Sequence, residues 1–352
     1  MSVTNIIFIV FIVICCLVLF AFLLPRFMKL KSSISKMKES KKIKNELAIW
    51  KRIAHLARGG KDSDDIKKKM SKDELEIIRT SFELCKEKLK DNFKSLYDNP
   101  WFMILGEPSS GKSTLIASSS QDMVSTQDDE VGKNGSRKPP FIKFWLNNNA
   151  VVADVSGRVF FDTWFDGSSS QWYGIINTLK KKHKKEPLSA LIITIPADSL
   201  FVDDENLSRK KANIIKNETN RLLNGLGMSL PCYVLVTKMD VISGFREYFS
   251  NVSDEIKSTE LGYKSKNHFY DEMEFSNFWQ DFIHKLRLGR NGLLLRHDIT
   301  KDEFNRLDEA SKIYMFAENV NELSTNLEIY FEIIFSDKKS SLNSSLLFEG
   351  LY

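Results

Sequence analysis

The chain has 352 residues, 42% hydrophobic and 28% charged, which supplies enough apolar material for one large or two medium globular units and excludes a disordered chain. Its net charge of +5 is unevenly placed. Residues 1–25 carry no charged side chain, while residues 26–95 hold 21 Lys and Arg against 11 Asp and Glu, an excess of 10 that leaves the remainder 5 units negative. With the basic residues confined to that stretch and no aromatic-basic motif within it, nucleic-acid binding finds no support.

Residues 6–24 form an unbroken run of 19 apolar residues. As a helix this run is roughly 28 Å long, about the thickness of a bilayer's hydrocarbon core, and it predicts a transmembrane anchor. A signal peptide is the competing reading. Against it, no Lys or Arg precedes the run, the run is long for such a peptide, and no small-x-small cleavage site follows. Arg26, Lys29, Lys31, Lys36 and Lys38 follow the span, so the positive-inside bias places the bulk of the chain in the cytosol and the amino terminus outside. Cys15 and Cys16 lie in the span, leaving Cys85 and Cys232, too few for a disulfide framework or a zinc site. The five histidines show no ligand spacing, and no metal site is expected apart from nucleotide-bound magnesium.

A Lys-rich stem follows, broken at Gly59 and Gly60. Two readings of its lysines stay open: contact with anionic lipid head groups, or a solvated helix face. "SKDE" at residues 71–74 is a capping-box pattern, and Phe82, Cys85, Leu89, Phe93 and Leu96 recur at helical spacing, so a helix is predicted over about 72–96.

Residues 101–116, WFMILGEPSSGKSTLI, read as a buried strand, a loop and the start of a helix. The loop matches GxxxxGK[ST] from Gly106 to Ser113, a pattern in which backbone amides and a lysine hold phosphates while a hydroxyl meets Mg²⁺. Strand-like runs follow at 141–146, 150–155, 190–196 and 232–237, separated by helical patterns near 169–182 and 206–227. The alternation argues for a mostly parallel sheet covered by helices. Residues 275–287 and 300–336 also read as helical.

Two further motifs end strands in this region. AVVADVSG at 150–157 places Asp154 and Gly157 where an aspartate supports the Mg²⁺ shell and a glycine lets an amide approach the γ-phosphate. CYVLVTKMD at 232–240 delivers Thr237, Lys238 and Asp240. A carboxylate at Asp240 accepts hydrogen bonds from guanine N1 and its exocyclic amine, which adenine cannot match, so the arrangement favours GTP over ATP. The predicted nucleotide residues are therefore Gly106, Glu107, Ser109, Ser110, Gly111, Lys112, Ser113, Thr114, Gly157, Thr237, Lys238 and Asp240, with Ser113, Asp154 and Ser136 as magnesium ligands. Ser125 and Thr126 are alternatives to Ser136 for the switch hydroxyl. Arg158 stands where many GTPases carry a water-orienting glutamine, so no catalytic residue is assigned and slow hydrolysis is left open.

The fold expected is α/β: a Ras-like phosphate-loop NTPase domain with a mostly parallel sheet. Its divisions are an anchor at 1–25, a basic helical stem at 26–97, the GTPase-like domain at 98–268 and a helical extension at 269–352. Read together, YDNPWFMILGEPSSGKSTLI, GSRK ahead of AVVADVSGRVF, PLSALIITIPADSL, LPCYVLVTKMDVISGFREYF, LDEASKIYMFAENVNEL and SSLLFEGLY resemble the cytosolic domain of the IcmF/TssM family over roughly residues 90–352. That family comprises inner-membrane proteins of bacterial type VI secretion, with IcmF in a related type IV system.

The resemblance implies a multi-subunit membrane complex in the bacterial inner membrane, a DotU/TssL-like partner and contact with a cytosolic baseplate. Three departures stand out: one predicted span where the family usually has two, a serine at Ser136 where members carry threonine, and an ending at Tyr352 that reads as a cut within a motif. Three functions remain open: a GTP-binding scaffold of a secretion machine, a structural adaptor with a vestigial nucleotide site, or a stand-alone membrane-anchored NTPase.

Overall fold

The computed structural model describes residues 72–91, 97–119, 123–126, 141–161, 170–184, 186–250, 252–253, 260–295, 303–335 and 345–352. The predicted anchor, most of the basic stem and Ser136 lie outside them. Among the described residues, no helix is long and apolar enough to cross a membrane.

The chain from residue 65 onward forms one compact unit, built on an eight-stranded sheet of order β2-β3-β4-β1-β5-β6-β8-β7. The central strands are β1 (Trp101–Gly106), β4 (Val151–Val155), β5 (Ala190–Pro196), β6 (Leu230–Thr237) and β8 (Leu346–Leu351), all parallel. Short or flanking strands β2 (Val124–Ser125), β3 (Ile142–Leu146) and β7 (Tyr263–Lys264) pair antiparallel at the margins. Parallel neighbours require crossover segments, and the sequence supplies helices between them. Helices α3 (Arg158–Phe161) and α4 (Ser170–Lys182) link β4 to β5, α5 (Ala197–Val202) and α6 (Glu205–Leu226) link β5 to β6, and α7 (Phe245–Ser250), α8 (Glu272–Leu295), α9 (Glu303–Asn321) and α10 (Leu323–Ile334) precede β8. The fold is mixed α/β with a mostly parallel sheet.

Alternation along β1 divides the interior between the two sheet faces. Trp101, Met103 and Leu105 join the large core, with Ile78, Phe82, Cys85 and Leu89 of α1 (Lys72–Asp91) and Leu222 and Leu223 of α6. Ile104 joins a smaller cluster with Val152 and Ile116, the last from α2 (Lys112–Ser119). The Phe82 ring stacks on Trp101 at 6.5 Å and meets Phe144 edge-on at 4.7 Å, so α1 packs on the sheet. It belongs with the domain, although its residues fall within the stem expected over 26–97. Asp204 caps α6 by accepting from the Leu207 amide at 2.8 Å.

The region past residue 268 departs from the expected helical extension in one respect. Phe348 is buried among Phe331, Phe335 and Tyr270, and its strand completes the sheet beside β6. The extension is thus a crossover that returns to the domain.

Glu218 on α6 is buried, its carboxylate paired with Arg221 while Oε2 has no hydrogen-bond partner. Burial pushes its pKa from 4.5 to about 7 against the pull of Arg221. A carboxyl that holds its proton more tightly folded than unfolded costs stability as pH rises from about 4.5 to about 7. Glu218→Gln removes that cost: urea unfolding at pH 8 should show the variant more stable than wild type, by up to about 3 kcal/mol, with the advantage gone at pH 5.

Candidate functional site

The carboxyl ends of β1, β4, β5 and β6 share one edge because the strands are parallel, and β1 sits where the strand order reverses, the position at which open α/β sheets bind ligands. The Gly106–Ser113 segment occupies that edge. It turns through Ser109 at φ 62° and Gly111 at φ 86°, the left-handed region that favours glycine and strains serine, then enters α2. Hydroxyls from neighbouring strands pin it. Thr194 donates to the Leu105 carbonyl at 3.1 Å and lies 3.0 Å from Ser110 Oγ, and Thr237 donates to the Ser110 carbonyl at 2.7 Å.

Lys112 is buried, and its Nζ donates to the carbonyls of Gly106 at 3.1 Å and Glu107 at 2.8 Å and to Ser110 Oγ at 3.2 Å. Burial lowers its pKa to about 8, opposed by the carboxylates of Asp154 and Glu107. The neighbouring Ser113 hydroxyl donates to Asp154 Oδ2 at 2.5 Å. Burial raises the Asp154 pKa, while the Ser113 hydrogen bond and the Lys112 charge pull it down. A cation, a carboxylate and a hydroxyl therefore meet at the first turn of a helix, where free amides add positive potential.

Gly157 closes the site from the β4 side. A Cβ there would fall 2.3 Å from the Pro108 nitrogen and 2.5 Å from the Glu107 carbonyl carbon, so only glycine allows the two loops to touch. From the β6 side, Lys238 adopts φ 58°, its Cγ 3.9 Å from where a Cβ on Gly111 would stand, and its Nζ pairs with Asp198 at 2.8 Å. Asp240, two residues on, lies in a 3-10 turn with its side chain 55% exposed and Arg246 at 3.7 Å.

The predicted loop residues, Asp154, Gly157, Thr237 and Lys238 thus gather at one edge, with Thr114 exposed on α2 and Asp240 at the margin. Ser125 and Thr126 do not join them. β2 pairs with Leu146 and Trp145, whereas Asp154 pairs with Lys143, and Thr126 spends its hydroxyl on the Phe144 carbonyl at 3.1 Å. Thr194, Asp198, Ser199, Lys211 and Tyr330 surround the loop without having been singled out in sequence. Thr194, Asp198 and Ser199 stand in the PLSALIITIPADSL block, which carried a family signal but no assigned roles.

An α/β domain with this loop at its switch point is the class that the geometry defines. The family model described as the IcmF-related N-terminal domain matches residues 166–352, more than half of the chain, and the chain belongs to that family. It is 28% identical over 174 residues to the type VI secretion system component TssM1 of Pseudomonas aeruginosa, a match covering 48% of this chain and 16% of that protein. The chain thus corresponds to a small part of that relative's length. Among solved structures it is similar to an ADP ribosylation factor-like GTP binding protein, the small COPII coat GTPase SAR1 of Encephalitozoon cuniculi in complex with GDP. That likeness has 14% identity, covers 72% of this chain and 94% of that one, and has a TM-score of 0.24. A point variant of SsGBP is similar at 18% identity, over 54% of this chain and 53% of that one, with a TM-score of 0.22.

The contact at Gly157 makes a direct prediction. Gly157→Ala should force the two loops apart, costing about 1–3 kcal/mol in denaturant unfolding and raising hydrogen exchange over residues 106–113. Unchanged values in both measurements would contradict the close approach.

Proposed function

We propose that this chain is a membrane-anchored, GTP-binding component of a type VI-like secretion complex. Family membership supports the secretion role, and the convergence of Lys112, Ser113 and Asp154 at one sheet edge supports nucleotide binding. That convergence carries the reading, because a buried lysine, a hydroxyl and a carboxylate at a helix amino terminus suit a phosphate chain with a divalent cation.

Ser113 and Asp154 are the residues that would hold magnesium; their oxygens, 2.5 Å apart, are the hard donors that ion prefers. When bound, the ion would neutralise charge on the β and γ phosphates. Lys112 exchanges three internal acceptors for phosphate oxygens, and the loop amides and α2 stabilise the rest of the negative charge. Lys238 lays its stem over Gly111 beside the purine, and Asp240 reads the base edge. Arg158 begins α3 and is exposed, so turnover is slow unless a partner supplies a group that orients water. The predicted span and the basic residues that follow it support a cytosolic position for this site, and the family resemblance supports a DotU/TssL-like inner-membrane partner and a baseplate contact.

A second reading, a structural adaptor with a vestigial site, draws on one observation: all three Lys112 contacts are satisfied within its own loop. Binding separates the two. Full-length protein in detergent, titrated with fluorescent GTP and Mg²⁺, should bind with Lys112→Ala weakening affinity more than about tenfold, a loss typical of a charged hydrogen bond. Absence of binding by wild-type protein to both GTP and ATP overturns the nucleotide reading and leaves the adaptor.

Two further outcomes follow from the same chemistry. Asp240→Asn should shift preference toward xanthosine triphosphate, because an amide offers one donor and one acceptor where guanine needs two acceptors; competition binding reads this directly. Lys112, with its folded pKa lowered to about 8, is increasingly neutral above that pH. Polyphosphate binding there must take up a proton, so affinity should fall by up to about tenfold per pH unit above pH 8. Calorimetry in buffers of different ionisation enthalpy measures the proton uptake.

A further inference from the structure

Glu107 follows Gly106 in the loop, yet its side chain runs into the interior and is almost fully buried. Its Oε2 pairs with Lys211 Nζ at 2.8 Å and accepts from the Ser199 hydroxyl at 3.1 Å, while Oε1 accepts from the Tyr330 hydroxyl at 3.3 Å. Lys211, on α6, is equally buried and also lies 2.5 Å from Asp203 Oδ2. One ammonium thus sits between two carboxylates, the partnering that a charge out of water requires. Asn326, one turn before Tyr330 on the same face of α10, donates to the carbonyls of Leu200 at 2.8 Å and Asp203 at 3.0 Å.

Fold stability alone does not require this arrangement, since apolar side chains of similar volume are often as stabilising as a buried ion cluster. Its placement on the loop is the informative feature. The backbone carbonyl of Glu107 is the shortest acceptor of Lys112, and the side chain of the same residue is held by α6 and α10. One residue therefore joins the phosphate-facing lysine to a helix that precedes β8, the strand paired beside β6, which ends at Thr237 just before Lys238.

We propose that Lys211 and Tyr330 are positioning residues for the phosphate-cradling loop, and that α10 is energetically coupled to that loop through Glu107. The ligand in this inference rests on the nucleotide reading above; the coupling itself does not. Coupling of this kind is reciprocal, so a displacement of α10 changes nucleotide affinity and nucleotide binding changes the set of α10.

The test uses full-length protein in detergent and the mild variant Tyr330→Phe, which removes one hydroxyl without leaving a charge unpaired, with Tyr314→Phe, at an exposed position of α9, as control. Hydrogen exchange by mass spectrometry needs no ligand. Tyr330→Phe should raise exchange over residues 106–113 while residues 142–146 stay at the wild-type level, and the control should change neither. Magnesium and fluorescent GDP supply the second readout: dissociation should quicken by up to about tenfold, the most that the loss of one hydrogen bond to a charged group supports, while the unliganded melting temperature falls by a few degrees at most. Wild-type exchange over 106–113, a rise spread over the whole domain, or an unchanged dissociation rate in a protein that binds GDP each overturns the coupling. If exchange rises as expected but wild-type protein binds no guanine nucleotide, the coupling stands and the nucleotide reading falls.

Discussion

A lysine ammonium held almost entirely out of water governs the arrangement around it. Lys112 is 6% exposed, and a cation in that position must be surrounded by acceptors or give up its proton. The loop supplies two of its own carbonyls and a hydroxyl, which it can do only by curling back through left-handed turns at Ser109 and Gly111. The curl in turn needs outside support, which Thr194 and Thr237 give at Ser110 and Gly157 gives by presenting no side chain. In the proposed reading, phosphate binding by this loop is consequently a difference between two well-satisfied states. Burial lowers the Lys112 pKa to about 8, and the nearby Asp154 and Glu107 carboxylates only partly offset that loss of water.

Those supports converge because the central strands are parallel. Asp154, Thr194 and Thr237 belong to three different strands, each placing its residue toward the same sheet edge. Parallel pairing also explains the long excursion through α7–α10. Without β8, strand β6 would be an edge with Cys232 and Val234 in its core-facing rows, and an apolar edge is a template for unwanted pairing. The returning chain covers that edge, and Phe348 ties it to Phe331 and Phe335 of the preceding helix region. The C-terminal helices are thereby committed to the same core that positions the loop.

Much of this was legible in the sequence. The strand predicted at 190–196 and the helix predicted at 169–182 appear as β5 and α4 within a residue, because apolar runs of the right length and helical spacing dominate there. The motif residues were readable because each follows such a strand. Strand β8 was not. It is six residues long and carries Glu349 and Gly350, residues that weaken a strand signal, and its order comes from pairing with β6 and β7, both far earlier in the chain. The pairing of Glu107 with Lys211, 104 positions apart, has no local signature at all. Ser125 and Thr126 had plausible spacing for a switch hydroxyl, but the antiparallel register of β2 on β3 sets them against Trp145 and Phe144.

In the proposed nucleotide reading, the end around Lys238 and Asp240 is less enclosed than the end around Lys112, and the difference has a physical meaning. Lys238 spends its charge on Asp198, so its aliphatic stem over Gly111 is what remains for a purine face. Asp240 is more than half exposed, and Arg246 stands off at 3.7 Å. A carboxylate so open to water discriminates poorly between hydrogen-bond donors, since solvent compensates the wrong partner at a cost of about 1 kcal/mol or less. Selectivity between guanine and adenine grows only as the carboxylate is dried, because an unmatched acceptor then has nothing to replace the missing donor. In the proposed reading, the purine itself is part of the surface that excludes water from Asp240. On that reading, anion capture would be built into the unliganded loop and base recognition acquired as the ligand settles, so the two halves of the proposed site need not respond alike to the same perturbation.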